Sequence, residues 1–214
     1  MEDLTAFNFI YDEKRIIVCM DTLSLNENRR PFKFVSKIFL IPHLRSVICG
    51  TGNLDLIMDW VNQVQRNIIA TDISFLSTIT TENLIRLYQK YDYAIGSSTI
   101  YQFGYSQIEK KFKGYAYRST SGFQKEEFPY CSAIKPNTQF EIYDEIQVNG
   151  LDDAFIKLMK QQKEEDDCKH DRVGIGGEIH RIFMNEKTCQ LDIIYRFSDY
   201  EQCYDEMLEN LKNQ

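Results

Sequence analysis

The chain has 214 residues, 43 % hydrophobic and 27 % charged, with a net charge of −7 from 25 Lys and Arg against 32 Asp and Glu. That balance excludes a disordered or low-complexity chain, and the acidic excess argues against a broad nucleic-acid or anionic-membrane surface. No apolar run approaches the roughly 18 residues of a membrane-crossing helix, and the acidic start Met1-Glu-Asp-Leu4 lacks the positive charge of a secretory signal, so a cytoplasmic chain is expected.

The first fifty residues read as strands. Thr5 to Tyr11 is rich in aromatic and β-forming residues. After the polar turn Asp12-Glu-Lys14 comes Arg15 to Asp21, apolar almost throughout and therefore expected to be buried on both faces of a hairpin. A polar excursion, Asn26 to Pro31, precedes a third strand, Val35 to Ile41, and a fourth, Ser46 to Gly50. From Asn53, a natural cap, apolar residues recur at helical spacing through Ile68. Thr71 to Thr80 is Ser/Thr-rich and predicts a loop, with a second helix opening at Thr81-Glu82. Strands resume at Ser98–Tyr105 and Phe112–Tyr117, Arg118 to Glu127 reads as a turn region, and Tyr130–Ile134 follows as a strand. A helix over Leu151–Glu164, strands at Gly177–Met184 and Cys189–Phe197, and an amphipathic helix from Tyr200 to Leu211 complete the order. Blocks of strands alternating with helices, with no repeat or linker, predict one layered α+β domain over residues 1–214.

Six cysteines contain no Cys-x-x-Cys pair, so they suggest small buried thiols in a reducing compartment. His43, His170 and His180 stand at no metal-ligand spacing. Neither a metal nor a cofactor is expected.

Three residues stand at informative intervals: Thr5, Asp21 and Lys37, each sixteen after the last. With strand ends meeting at one rim, a hydroxyl, a carboxylate and an ammonium converge. A threonine hydroxyl is a weak nucleophile without a base. An N-terminal threonine supplies the base through its own α-amine, with an ordinary pKa of about 7.7–8.0. A lysine field lowers the pKa of hydroxyl and amine, and a carboxylate holds the lysine. The turn Cys49-Gly-Thr-Gly-Asn53 lies between a strand and a helix and can offer backbone N–H groups from Gly50, Thr51 and Gly52 to an oxyanion. Each residue also has an ordinary use: Thr5 in a strand, Asp21 at a turn, Lys37 reaching its head to water, the glycines in strand-to-helix geometry.

On these residues the chain resembles the proteasome β-subunit and the heat-shock-locus protease subunit, members of the N-terminal-nucleophile hydrolases. Ile16-Ile-Val-Cys-Met-Asp-Thr22, Val35-Ser-Lys-Ile-Phe-Leu-Ile41 and Ser46-Val-Ile-Cys-Gly-Thr-Gly52 resemble the family's aspartate strand, lysine strand and Gly turn. Asp171-Arg-Val-Gly-Ile-Gly-Gly177 resembles its Asp-x-x-Ser-Gly-Gly stretch. The resemblance implies a four-layer αββα sandwich, with two antiparallel sheets between helix layers. It implies a threonine peptidase or amidohydrolase with Thr5, Asp21 and Lys37 catalytic and Ser132 and Asp171 supporting. A peptide or amide substrate and self-association, rings included, go with it. Thr5 becomes N-terminal only if residues 1–4 are removed. Leu4 precedes Thr5 where the family often has Gly, Leu23 stands in place of an arginine, and Gly174 or Ile175 in place of a serine. These departures point to the alternative: a non-catalytic structural or partner-binding subunit that retains residues 1–4.

Overall fold

A computed structural model of the protein describes residues 5–26, 28–90 and 96–212. Residues 1–4, on which the reading of a removable propeptide falls, lie outside them. The described strands are β1 (Phe7–Tyr11), β2 (Arg15–Asp21), β3 (Leu23–Leu25), β4 (Pro31–Phe34), β5 (Ile38–Ile41), β6 (Ser46–Thr51), β7 (Thr99–Ser106), β8 (Lys111–Arg118), β9 (Lys125–Glu127), β10 (Cys131–Lys135), β11 (Glu178–Asn185) and β12 (Cys189–Arg196). The helices are α1 (Leu54–Arg66), α2 (Ile73–Lys90), α3 (Ile142–Asn149), α4 (Leu151–Asp167) and α5 (Tyr200–Lys212). They make an α+β fold with three antiparallel sheets, where the sequence predicts two. One runs β10-β1-β2-β11-β12, another β5-β6-β7-β8-β9, and a two-stranded hairpin pairs β3 with β4. The extra sheet arises in the polar excursion, where Asn26 accepts backbone N–H bonds from Asn28 and Arg30 and folds the chain back.

The period-2 alternation of β1 and β2 sends side chains to two cores. Phe7, Phe9, Ile16, Val18 and Met20 pack with Ile38, Val47, Phe103 and Ala116 of the second five-stranded sheet. Ile10, Ile17 and Cys19 point the other way, onto Phe155, Leu158 and Met159 of α4. A third core joins Leu56, Trp60 and Val64 of α1 and Leu76 and Leu84 of α2 to Ile48, Ile100 and Tyr117. Each such fully buried apolar side chain contributes about 1.5–3 kcal/mol. These cores fix β1 and β2 between α4 and the second five-stranded sheet, which positions the ends of both strands.

Several boundaries differ from the sequence reading. The predicted loop at Thr71–Thr80 is helical from Ile73. Buried Asp72 accepts the Phe75 N–H at 3.0 Å as a cap, and its second oxygen accepts the Gln107 N–H at 2.8 Å. The hydroxyls of Ser77, Thr78 and Thr80 donate back to carbonyls within the same helix, so the residues that suggest a loop are satisfied locally. Burial of Ile73 and Leu76 then outweighs their neighbours' weak helix propensity. The turn region Arg118–Glu127 contains β9, and the unpredicted α3 precedes α4. All six cysteines are free; Cys19, Cys49 and Cys203 are buried and Cys168 is exposed. No described helix is long and apolar enough to cross a membrane.

Replacing Asp72 with Ala removes both the cap and the link to β7. We expect a loss of about 1–2 kcal/mol in urea denaturation; an unchanged midpoint would refute this account of where α2 starts.

Candidate active site

Asp21 is the last residue of β2 and is fully buried. Its neighbour strands end unequally: β1 pairs only as far as Phe7 with Met20, while β11 reaches Asp21 through Ile179. The carboxylate therefore faces the incoming chain at Thr5 and Ala6. Asp21 Oδ1 accepts the Thr5 hydroxyl at 2.7 Å and the Ala6 N–H at 2.9 Å. Oδ2 accepts the Leu23 N–H at 3.2 Å and the Gly176 N–H at 3.3 Å. The Gly176 carbonyl in turn accepts the N–H groups of Thr22 and Leu23.

Lys37 arrives from a different sheet. The predicted third strand, Val35–Ile41, begins only at Ile38, so Lys37 lies in the lead-in to β5 rather than within a strand. This leaves its side chain free to cross toward β2. Its Nζ donates to both oxygens of Asp21, at 3.1 and 3.0 Å, and to the Leu23 carbonyl at 2.6 Å. Three acceptors satisfy the ammonium, which is 6 % exposed. Burial pulls the Lys37 pKa below the ordinary lysine value, and the Asp21 charge and hydrogen bonds oppose that pull.

The β5–β6 ladder stops at Ile38 with Cys49, so Gly50 and Thr51 keep only their β7 partners. That uncovered edge of β6 lines a cavity of about 190 Å³ shared with Thr5, Lys37, Gly52, Leu54 and Ile57. A side chain on Gly50 would come within 2.7 Å of the Thr99 carbonyl. Gly52 has φ +94°, and a Cβ there would lie 2.2 Å from the Ser97 carbonyl. The Thr51 hydroxyl is buried and finds no hydrogen-bond partner among the described residues.

Thr5 also borders a second, larger cavity of about 730 Å³ on its other side, where Asp171 is found. Asp171 is exposed, and the organising carboxylate there is one that sequence reasoning missed. Asp166, at the end of α4 and fully buried, accepts the N–H groups of Val173 and Gly174 at 2.7 and 2.8 Å. It thereby fixes the segment that carries Gly176 to Asp21. In sequence it sits inside an acidic run, Glu164 to Asp167, that reads as a solvated helix tail. Ser132 is not brought to the site. It is an exposed residue of β10 opposite Ile10, toward the far end of β1 from Thr5, and lines neither Thr5 cavity. No cluster of metal-ligating side chains occurs among the described residues.

No protein-family model matches the chain, and no curated protein matches it in sequence. Solved structures do. The Anbu (ancestral beta-subunit) from Yersinia bercovieri superposes with a TM-score of 0.63 at 11 % identity, covering 98 % of this chain and 94 % of that one. An Anbu (Gly-1) mutant from Hyphomicrobium sp. strain MC1 gives 0.65 at 9 % identity, with the same coverage of 98 % and 94 %. At these identities the likeness is one of fold. It corrects the sequence-level resemblance to the proteasome β-subunit and the heat-shock-locus protease subunit: the fold similarity is to Anbu. The motifs behind that resemblance cluster in the first 52 residues, with one more at Asp171–Gly177, and specify the rim where Thr5, Asp21 and Lys37 meet and little of the remaining chain.

Asp21→Ala strands the Lys37 charge and four hydrogen-bond donors, and should cost about 3–5 kcal/mol in urea denaturation. Adding Lys37→Met should recover only part of this, because the orphaned donors still cost about 1–3 kcal/mol; a double variant as stable as the parent would contradict it. The depressed Lys37 pKa means the folded state holds fewer protons than the unfolded one between the folded pKa and the ordinary 10.5. Stability carried by this group therefore rises with pH across that window. The stability difference between the parent and Lys37→Met should grow in favour of the parent as pH rises toward the ordinary lysine value of 10.5, and a flat difference would argue against the shift.

Proposed function

We propose that this chain is an amide-bond hydrolase whose nucleophile is the Thr5 hydroxyl, acting once the residues before Thr5 have been removed. The observation that carries the reading is the sharing of one cavity by Thr5, Lys37 and the Gly50–Gly52 turn, with Asp21 holding Lys37. In this reading the chain is a single domain with a four-layer αββα arrangement, supported by the three separate cores. The substrate is a peptide or related amide. Self-association of copies belongs to the same reading, supported by the exposed apolar side chains of Leu208 and Leu211 on α5.

The chemistry follows from the groups present. The freed α-amine of Thr5 accepts the hydroxyl proton as Oγ1 attacks the substrate carbonyl. Lys37 supplies a fixed positive field that lowers the pKa of hydroxyl and amine, and Asp21 holds Lys37 in place. The oxyanion is met by backbone N–H groups along Gly50 to Gly52, at the uncovered edge of β6. The amine then passes its proton to the leaving nitrogen, the C–N bond breaks, and an ester on Thr5 remains. Water cleaves that ester and returns the proton.

A second reading, a non-catalytic subunit that keeps residues 1–4, is favoured by one observation: the Thr5 hydroxyl donates to Asp21, as a structural hydroxyl would. The two readings separate in one experiment. A chain produced with Thr5 as its first residue should hydrolyse peptide amides and gain the mass of a β-lactone probe on Thr5. Thr5→Ala should abolish both, lowering turnover by at least about a thousandfold, while Thr5→Ser retains labelling. Neither hydrolysis nor labelling in the chain beginning at Thr5 would establish the second reading.

A further inference from the structure

The two cavities that meet at Thr5 differ in size and charge. The smaller, about 190 Å³, is lined largely by apolar side chains and the Gly turn. Its cation, Lys37, already has three acceptors. The larger, about 730 Å³, is bordered by Arg29, Lys135 and Lys169 together with Asp166 and Asp171. Both Asp166 oxygens are engaged by backbone N–H groups, which hold that carboxylate to its own loop, and with Asp171 counted the three cations of the lining still exceed its two carboxylates.

Arg29 is placed by the turn between β3 and β4. The Asn26 carbonyl accepts the Arg29 N–H at 2.9 Å, and Arg29 takes φ +58°, an uncommon conformation for a side-chain-bearing residue. From there its Nη1 donates to the Arg172 carbonyl at 2.7 Å. One hydrogen bond anchors the group while its fork retains further donors. Lys169 lines the same cavity from just past α4, where its charge also acts on Glu165.

We propose that the larger cavity is a binding site for a carboxylate-bearing fragment, held by Arg29 and Lys169. In the hydrolase reading, on which this assignment of roles rests, the oxyanion donors line the smaller cavity. The carbonyl side of the scissile amide therefore lies there, and the larger cavity receives the leaving amine fragment. The preferred substrates are amides whose leaving portion carries an acidic side chain or a nearby carboxylate. The 730 Å³ volume lies within the range of ordinary ligand sites and exceeds what one side chain fills.

The test has two arms. In the first, the chain beginning at Thr5 is given pairs of internally quenched peptides that differ only in Glu or Lys immediately after the cleaved bond. The Glu member should show about tenfold higher kcat/KM, the size of one charge-assisted contact. Arg29→Glu and Lys169→Glu should each invert the ratio; Lys169 is exposed, so its variant keeps the fold. Equal cleavage, or a preference for Lys in the parent, overturns the proposal. In the second arm, the dipeptides Glu-Glu and Lys-Lys are titrated into the Thr5→Ala protein and followed by NMR. Glu-Glu alone should shift the amide signals of Val173 and Gly174, and Lys169→Glu should remove the effect. Binding of both dipeptides or of neither overturns the anion site. Selective Glu-Glu binding without cleavage of any peptide sustains the anion site and removes the hydrolase reading instead.

Discussion

A single buried carboxylate organises this molecule's rim. Asp21 has no exposure to water, and it accepts bonds from Thr5, Ala6, Leu23, Gly176 and Lys37. A buried charge is tolerated only when paired and hydrogen-bonded. The bonds that meet this requirement come from four chain segments: the approach to β1, the exit from β2, the lead-in to β5 and the approach to β11. Satisfying one group therefore gathers four pieces of backbone at one place. Each partner holds the carboxylate in one orientation, and through it the Thr5 hydroxyl.

Around that anchor the fold divides space unequally. The early end of the β5–β6 ladder leaves a narrow, mostly apolar recess beside the Gly turn. On the other side, the Asp166-bound loop and the β3–β4 turn frame a wider recess whose lining carries three cations and two carboxylates. Thr5 lines both recesses, the narrow one and the wide, charged one. Both recesses depend on backbone that the sheets alone do not fix. Asp166 ties the 173–174 segment to α4, and Arg29 ties the β3–β4 turn to Arg172.

The legibility of this arrangement in the sequence follows the range of the interactions. Strands β1 and β2 read well because their alternating apolar residues are set by local periodicity. The meeting of Thr5, Asp21 and Lys37 is legible in their two intervals because Asp21 ends one short strand and Lys37 just precedes another. The start of α2 was obscured because Ser77, Thr78 and Thr80 carry weak helix propensity, and it is the burial of Ile73 and Leu76 that decides. Asp166 was read as one acid among several because only its contact with a loop seven and eight residues on distinguishes it. Ser132 differs again: the family resemblance implies a supporting role for it, but strand register sets it opposite Ile10.

The sequence by itself determined the α+β class, the hairpin that carries Thr5 and Asp21, and the two sixteen-residue intervals, because these follow from side-chain periodicity along short stretches of chain. Only the tertiary structure decided that Lys37 approaches from a different sheet, that β3 and β4 form a sheet of their own, that Asp166 rather than Asp171 holds the neighbouring loop, and that the fold is similar to Anbu. Those outcomes depend on which distant segments must meet to satisfy buried charges and fill shared cores, and such contacts leave no fixed spacing in a single chain.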